Sequence, residues 1–159
     1  MVTFKRLSRA DLTRIYPAKV PINDQTLSIA MRVVADLWDE RCAERGSQRS
    51  ADRSGSCKFA ALIAREIFGG RLAGNDEHVF VLLAGRIIDL NRDQADVKAL
   101  GTDAYRDNTL SLRHPDYLDA LGSCVSRATK WAQIALEELY SEHLPPAPQY
   151  LVDDATVSP

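Results

Sequence analysis

The chain has 159 residues, 45% of them apolar and 26% charged, with a formal net charge of -2. That length suits one domain around one hydrophobic core, and the composition excludes a disordered or fibrous chain. The near-neutral balance gives no global attraction to nucleic acid or to an anionic membrane, so neither is expected as a partner.

Cys42, Cys57 and Cys124 are an odd number of cysteines for a domain of this size, which argues against a disulfide framework and for a reducing compartment with at least one free thiol. No apolar stretch reaches the ~20 residues needed to cross a bilayer, and the first residues lack the apolar core of a signal peptide. The expected location is the cytoplasm of the cell that makes the protein. A folded cargo delivered into a target cell would show the same features.

Turn formers at Pro17 and Pro21 precede Asn23 and Asp24, which offer a helix cap. From Gln25 to about Glu44, Leu27, Ala30, Met31, Val34, Leu37, Trp38 and Cys42 recur at three- and four-residue spacing, which predicts an amphipathic helix. The polar run from Arg45 to Ser56 reads as a surface loop. A second helix is predicted to begin near Ser54 to Cys57 and to run to the stop signal Gly69-Gly70, apolar around most of its circumference and therefore central. The segment from Glu77 to Leu90, rich in Val, Ile and Phe and broken at Ala84-Gly85, predicts a β-hairpin. The stretch from Asn91 to Asn108 carries weak signals. A long helix is predicted from Tyr117 to about Glu142, and residues 145–159 read as a tail.

Chemistry concentrates around Cys57. A thiol at a helix N-terminus feels the unpaired N–H groups and the positive end of the dipole, and both favour the thiolate. Ser54, Gly55 and Ser56 before it let a substrate approach the backbone, whose free N–H groups could hold an oxyanion. Taken alone, Cys57 fits a small buried residue at a helix start better than a nucleophile.

His78 and Asp89 add the second line of argument. With the turn at Ala84-Gly85, facing residues have numbers summing to about 169, so Phe80 opposes Asp89 and His78 opposes Asn91. His78 and Asp89 are then diagonal neighbours on one face, within ~7 Å. A carboxylate there fixes the imidazole tautomer and stabilises the imidazolium. A bulged turn would make Asn91 the orienting residue instead.

The order of Cys57, His78 on one strand and Asp89 on the next resembles the catalytic core of the transglutaminase-like and papain-like cysteine enzymes. The matching segments are SGSCKFAALIAREIFGG and HVFVLLAGRIIDLNRDQ, about a quarter of the chain. The resemblance implies an α+β fold in which a central nucleophile helix packs on an antiparallel sheet with flanking helices, and a Cys57, His78 and Asp89 triad. Ser56, Asn91 and Gln94 are the supporting or oxyanion candidates it suggests, with the backbone N–H of Cys57 the first choice. Lys58 follows the cysteine where family members often carry an aromatic residue, and the nearest upstream glutamine is Gln48. The strands beyond the hairpin are expected in the N-terminal arm and in the 91–112 region.

The segment from Arg41 to Lys58 holds Arg41, Arg45, Arg49, Arg53 and Lys58 against Glu44 and Asp52. It reads either as a solvated loop or as an electropositive rim that attracts an acidic protein surface. Cys42, Cys124, Trp38 and Trp131 are expected in the core, and His114 and His143 at helix ends. Spacings of Cys and His support no metal site, and no phosphate loop or dinucleotide fingerprint is present, so no cofactor is expected.

The function expected on this basis is thioester-forming acyl transfer on a carboxamide of a protein substrate, as a glutamine deamidase, a transglutaminase or a cysteine protease. A short core with a basic rim resembles bacterial effector or toxin domains of that superfamily, for which an inhibitory or immunity partner would be expected. The alternatives are a non-catalytic interaction domain of the same fold and a small-molecule acyltransferase of the arylamine acetyltransferase kind.

Overall fold

The computed structural model describes residues 6–46 and 56–142. In chain order these form α1 (Arg9–Thr13), α2 (Asp24–Glu44), α3 (Cys57–Phe68), β1 (Arg71–Gly74), β2 (Val79–Leu83), β3 (Arg86–Ile88), α4 (Ala95–Leu100), a 3₁₀ turn (Gly101–Tyr105), α5 (Thr109–Leu112) and α6 (Pro115–Glu142). The fold is mixed α+β, with a small antiparallel sheet of order β1-β2-β3. Arg49, Arg53 and Gln48 of the polar loop, His143 and the 145–159 tail lie outside the described residues.

Helix α2 starts where the sequence places it. Asn23 accepts a hydrogen bond from the Thr26 backbone at 2.9 Å, and the Thr26 hydroxyl accepts one from the Asn23 backbone at 3.0 Å. This reciprocal cap satisfies two of the donors every helix start leaves open. The buried stripe is Leu27, Ala30, Val34 and Trp38, joined by Ile29 and Val33. Met31, Leu37 and Cys42 pack against the core only partly buried.

Helix α3 is buried on almost every side, as an apolar helix at the centre of a small domain must be. It packs between α6 and strands β1 and β2, while α2 covers α6. Its one buried cation, Arg65, donates to the Asp11 carbonyl and lies over the Tyr16 ring at 4.2 Å, which holds the N-terminal arm to the helix. The chain leaves α3 through Gly69 and Gly70, with φ of 82° and 89°. A Cβ on Gly69 would stand 2.6 Å from the Tyr16 carbonyl oxygen, so the two glycines permit a close backbone crossing as well as the turn.

The hairpin has the expected register, with Val81 opposite Ile88, Leu82 opposite Ile87 and Leu83 opposite Arg86. Ala84 and Gly85 both have positive φ, 49° and 79°, which is the mirror-image two-residue turn that matches strand twist.

Two expectations need correction. The third strand is β1, directly after α3, where Arg71 pairs with Leu82 and Gly74 with Val79. Among the described residues, the N-terminal arm contributes only an isolated bridge between Tyr16 and Gly70, and the 91–112 region folds as α4, the 3₁₀ turn and α5. A four-residue strand next to a glycine pair is too short to show alternation, and its partner β2 is what defines it. Trp38, Trp131 and Cys124 are buried as expected.

Candidate active site

The first turn of α3 and the open end of the hairpin meet. Cys57 is the first residue of α3 and is half-buried, behind Ser56, which is fully buried. The Cys57 thiol is near enough to the His78 ring to help raise the pKa of the imidazole. His78 Nε2 lies 2.8 Å from Asp89 Oδ2, and both side chains are 3% exposed. With Nε2 committed to the carboxylate, Nδ1 is the nitrogen left for the thiol. His78 and Asp89 stand one residue beyond β2 and β3, the diagonal placement that the register dictates.

Local structure locks each member. Asn75 Oδ1 accepts from the backbone N–H of Glu77 at 2.9 Å and of His78 at 3.1 Å, while its Nδ2 donates to the carbonyls of Asp103, Ala104 and Arg106. One buried asparagine thus fixes the backbone of His78 and ties it to the 3₁₀ turn. That turn carries Tyr105, whose hydroxyl donates to Asp89 Oδ2 at 2.9 Å. Asp89 Oδ1 accepts from the Asn91 backbone N–H at 2.9 Å. The imidazole is held between Phe80, stacked at 6.2 Å between ring centroids, and the edge of Tyr105 at 6.0 Å.

Burial alone would lower the His78 pKa, but hydrogen bonds and charge from Asp89 and Cys57 outweigh it and raise the value to about 9. The Tyr105 hydroxyl is pushed above its ordinary range, first by burial and then by the Asp89 charge, so it stays a donor. Tyr117 of α6 is pushed up likewise by burial and by the nearby Cys57 and Cys124 thiols.

The supporting candidates separate. Asn91 Nδ2 donates to Ser56 Oγ at 2.8 Å, bridging the hairpin end to the residue before Cys57. Asn91 therefore positions α3 against the hairpin, and Asp89 rather than Asn91 orients the imidazole. The Gln94 side chain donates to Asp93 at 3.1 Å, not to Cys57, His78 or Asp89. Tyr105, Asn75 and Phe80 were not singled out from sequence. Phe80 sits two residues after His78 on the same face of β2, and that spacing was the available signal. Tyr105 and Asn75 reach the site only through tertiary folding.

Two residues of the basic rim are held on aromatic rings: Arg41 lies over Phe59 at 5.5 Å and Lys58 over Tyr117 at 5.2 Å. Among the described residues, no group of three or more His, Cys, Asp or Glu is arranged to hold a metal ion. No helix among them is long and apolar enough to cross a membrane.

No family model matches the chain, and no curated protein or solved structure matches it significantly. What can be said of its class rests on the fold and on the site geometry.

Proposed function

We propose that the protein is a cysteine-dependent acyl-transfer enzyme with Cys57 as nucleophile, His78 as general base and acid, and Asp89 as the residue that orients His78. The observation that carries this reading is the buried His78 ring hydrogen-bonded to Asp89, with Cys57 near enough to help raise the pKa of the imidazole. A buried imidazole with a carboxylate on one nitrogen and a thiol at the other stabilises a thiolate-imidazolium pair. A central helix presenting its first residue to the end of an antiparallel hairpin supports a transglutaminase-like or papain-like fold.

In this mechanism His78 takes the proton of Cys57, and the sulfur forms a bond to the carbonyl carbon of a carboxamide. The carbonyl oxygen becomes an oxyanion facing the first turn of α3, where the Cys57 backbone N–H lies ahead of the first intrahelical donor, Ala60. The C–N bond then breaks as imidazolium protonates the leaving ammonia or amine, which leaves a thioester. Water gives a proton to His78 and attacks that thioester, releasing acid and thiolate; an amine acceptor would give transamidation instead. The substrate class is a carboxamide of a protein, either a glutamine side chain or a peptide bond.

Iodoacetamide labelling at neutral pH tests the nucleophile. Cys57 is expected to react well before Cys42 and Cys124, and His78→Ala is expected to remove that preference. Cys57 labelling no faster than Cys42 would overturn the reading. Intact-mass analysis of candidate substrates with wild type and Cys57→Ala then assigns the reaction: a gain of about one dalton marks deamidation, and fragments mark proteolysis.

A further inference from the structure

Beside α3 opens a recess of about 310 Å³, lined among the described residues by Arg41 of α2 and by Ser123, Ser126, Arg127, Lys130 and Trp131 of α6. Ser123, Ser126, Arg127 and Lys130 recur at three- and four-residue intervals, so they form one stripe on α6. Arg41 closes the stripe from the facing helix. None of these lining residues is acidic.

Both arginines are held as planar cations on aromatic walls, Arg41 over Phe59 at 5.5 Å and Arg127 over Trp131 at 5.8 Å. Arg41 Nε is sealed from solvent with no hydrogen-bond partner among the described residues. A guanidinium without an acceptor at this edge carries a charge that an anion in the recess would compensate. The cluster also repels itself: burial first, then the charges of Arg127 and Arg45, lower the pKa of Arg41. Glu44 meets Arg127 at 3.7 Å, but both side chains are more than a third exposed, and such a pair contributes little. Ser123 spends its hydroxyl on the Ala120 carbonyl at 2.7 Å, which leaves Ser126 as the hydroxyl of the stripe with no hydrogen-bond partner among the described residues.

We propose that this recess binds a phosphoryl group, with Arg41 and Arg127 as its fork-shaped partners, Lys130 as a third charge and Ser126 as a hydroxyl donor. A phosphoryl dianion has three terminal oxygens to distribute over three cations and a hydroxyl, whereas a carboxylate has two and would leave donors unused. Cys124, next to Ser123, feels the charges of Lys58 and Arg41 and, more weakly, of Cys57. Phosphoryl binding nevertheless does not depend on Cys57 being catalytic.

The test is binding to the full chain by Trp fluorescence and thermal shift at matched ionic strength, using inorganic phosphate, O-phosphoserine, acetate and chloride. Saturable stabilisation by phosphate or phosphoserine, absent with chloride and weaker with acetate, is expected. The R127Q/K130Q double variant is expected to bind about tenfold or more weakly, the effect of losing charge-assisted hydrogen bonds. K130Q alone, at an exposed position, is expected to weaken binding without altering the fold. Tighter phosphoserine than phosphate identifies a phosphorylated protein as the source, and the reverse identifies a free anion. Acetate binding as well as phosphate, or equal phosphate binding by wild type and both variants, would overturn the proposal.

Discussion

Asp89 concentrates three hydrogen bonds on one buried carboxylate, from His78, Tyr105 and the Asn91 backbone. Because His78 titrates near 9 in the folded protein and near 6.5 when unfolded, its contribution to stability is fully present below about 6.5 and is lost as pH rises through about 9. In the proposed mechanism the same proton sets the alkaline limb of activity, since the imidazolium must protonate the leaving group. A pH-rate profile is therefore expected to fall above about 9. In Asp89→Asn that limb is expected to move toward lower pH, with kcat/KM reduced by roughly 10²- to 10⁴-fold. Retention of the wild-type limb in Asp89→Asn would show that another group controls it. Tyr105→Phe removes a donor from the buried carboxylate without changing the ring, and is expected to cost about 1.5–3 kcal/mol in urea unfolding. The histidine and aspartate were legible from sequence because a two-residue turn fixes which residues share a face. Tyr105 was not, because a contact between a hairpin end and a 3₁₀ turn has no periodicity to read.

At the scale of elements, the hairpin turn determines the site, since a one-residue slip would send His78 and Asp89 to opposite faces. Its weak point is Ala84, a residue with a Cβ held at φ 49° on an exposed turn. Asn tolerates this left-handed conformation better than Ala and is common at the first central position of such turns. Ala84→Asn is expected to raise stability by about 0.5–1 kcal/mol in denaturant unfolding, with alkylation of Cys57 unchanged. Helices α2, α3 and α6 were legible because each repeats its apolar residues over three or more turns and has a capping or stop signal. Strand β1 was not, because Arg71–Gly74 has too few residues for a pattern and owes its conformation to pairing with β2.

Across the whole molecule, α3 is the element that every other layer touches, with the sheet on one side and α6, backed by α2, on the other. Phe59 sits in the middle of that helical side, with ring centroids 5.8 Å from Trp38 and 5.2 Å from Trp131 and the Arg41 guanidinium above it. Sequence spacing placed both tryptophans in the core but gave no reason to bring them to the same phenylalanine, because that depends on how two helices cross a third. Phe59 is buried and lies two residues beyond Cys57, so the seam anchors the first turn of α3 from the side away from its glycine exit. Truncating it leaves a cavity between three helices that cannot close independently. Phe59→Ala is expected to cost about 3–5 kcal/mol by urea unfolding, and Phe59→Leu clearly less, because much of the volume is kept. If the seam fixes the start of α3, Phe59→Leu should also slow Cys57 alkylation relative to Cys42 while the protein remains folded by circular dichroism. A loss of stability with the Cys57 rate unchanged would instead mean that Ser56 and Asn91 hold Cys57 by themselves.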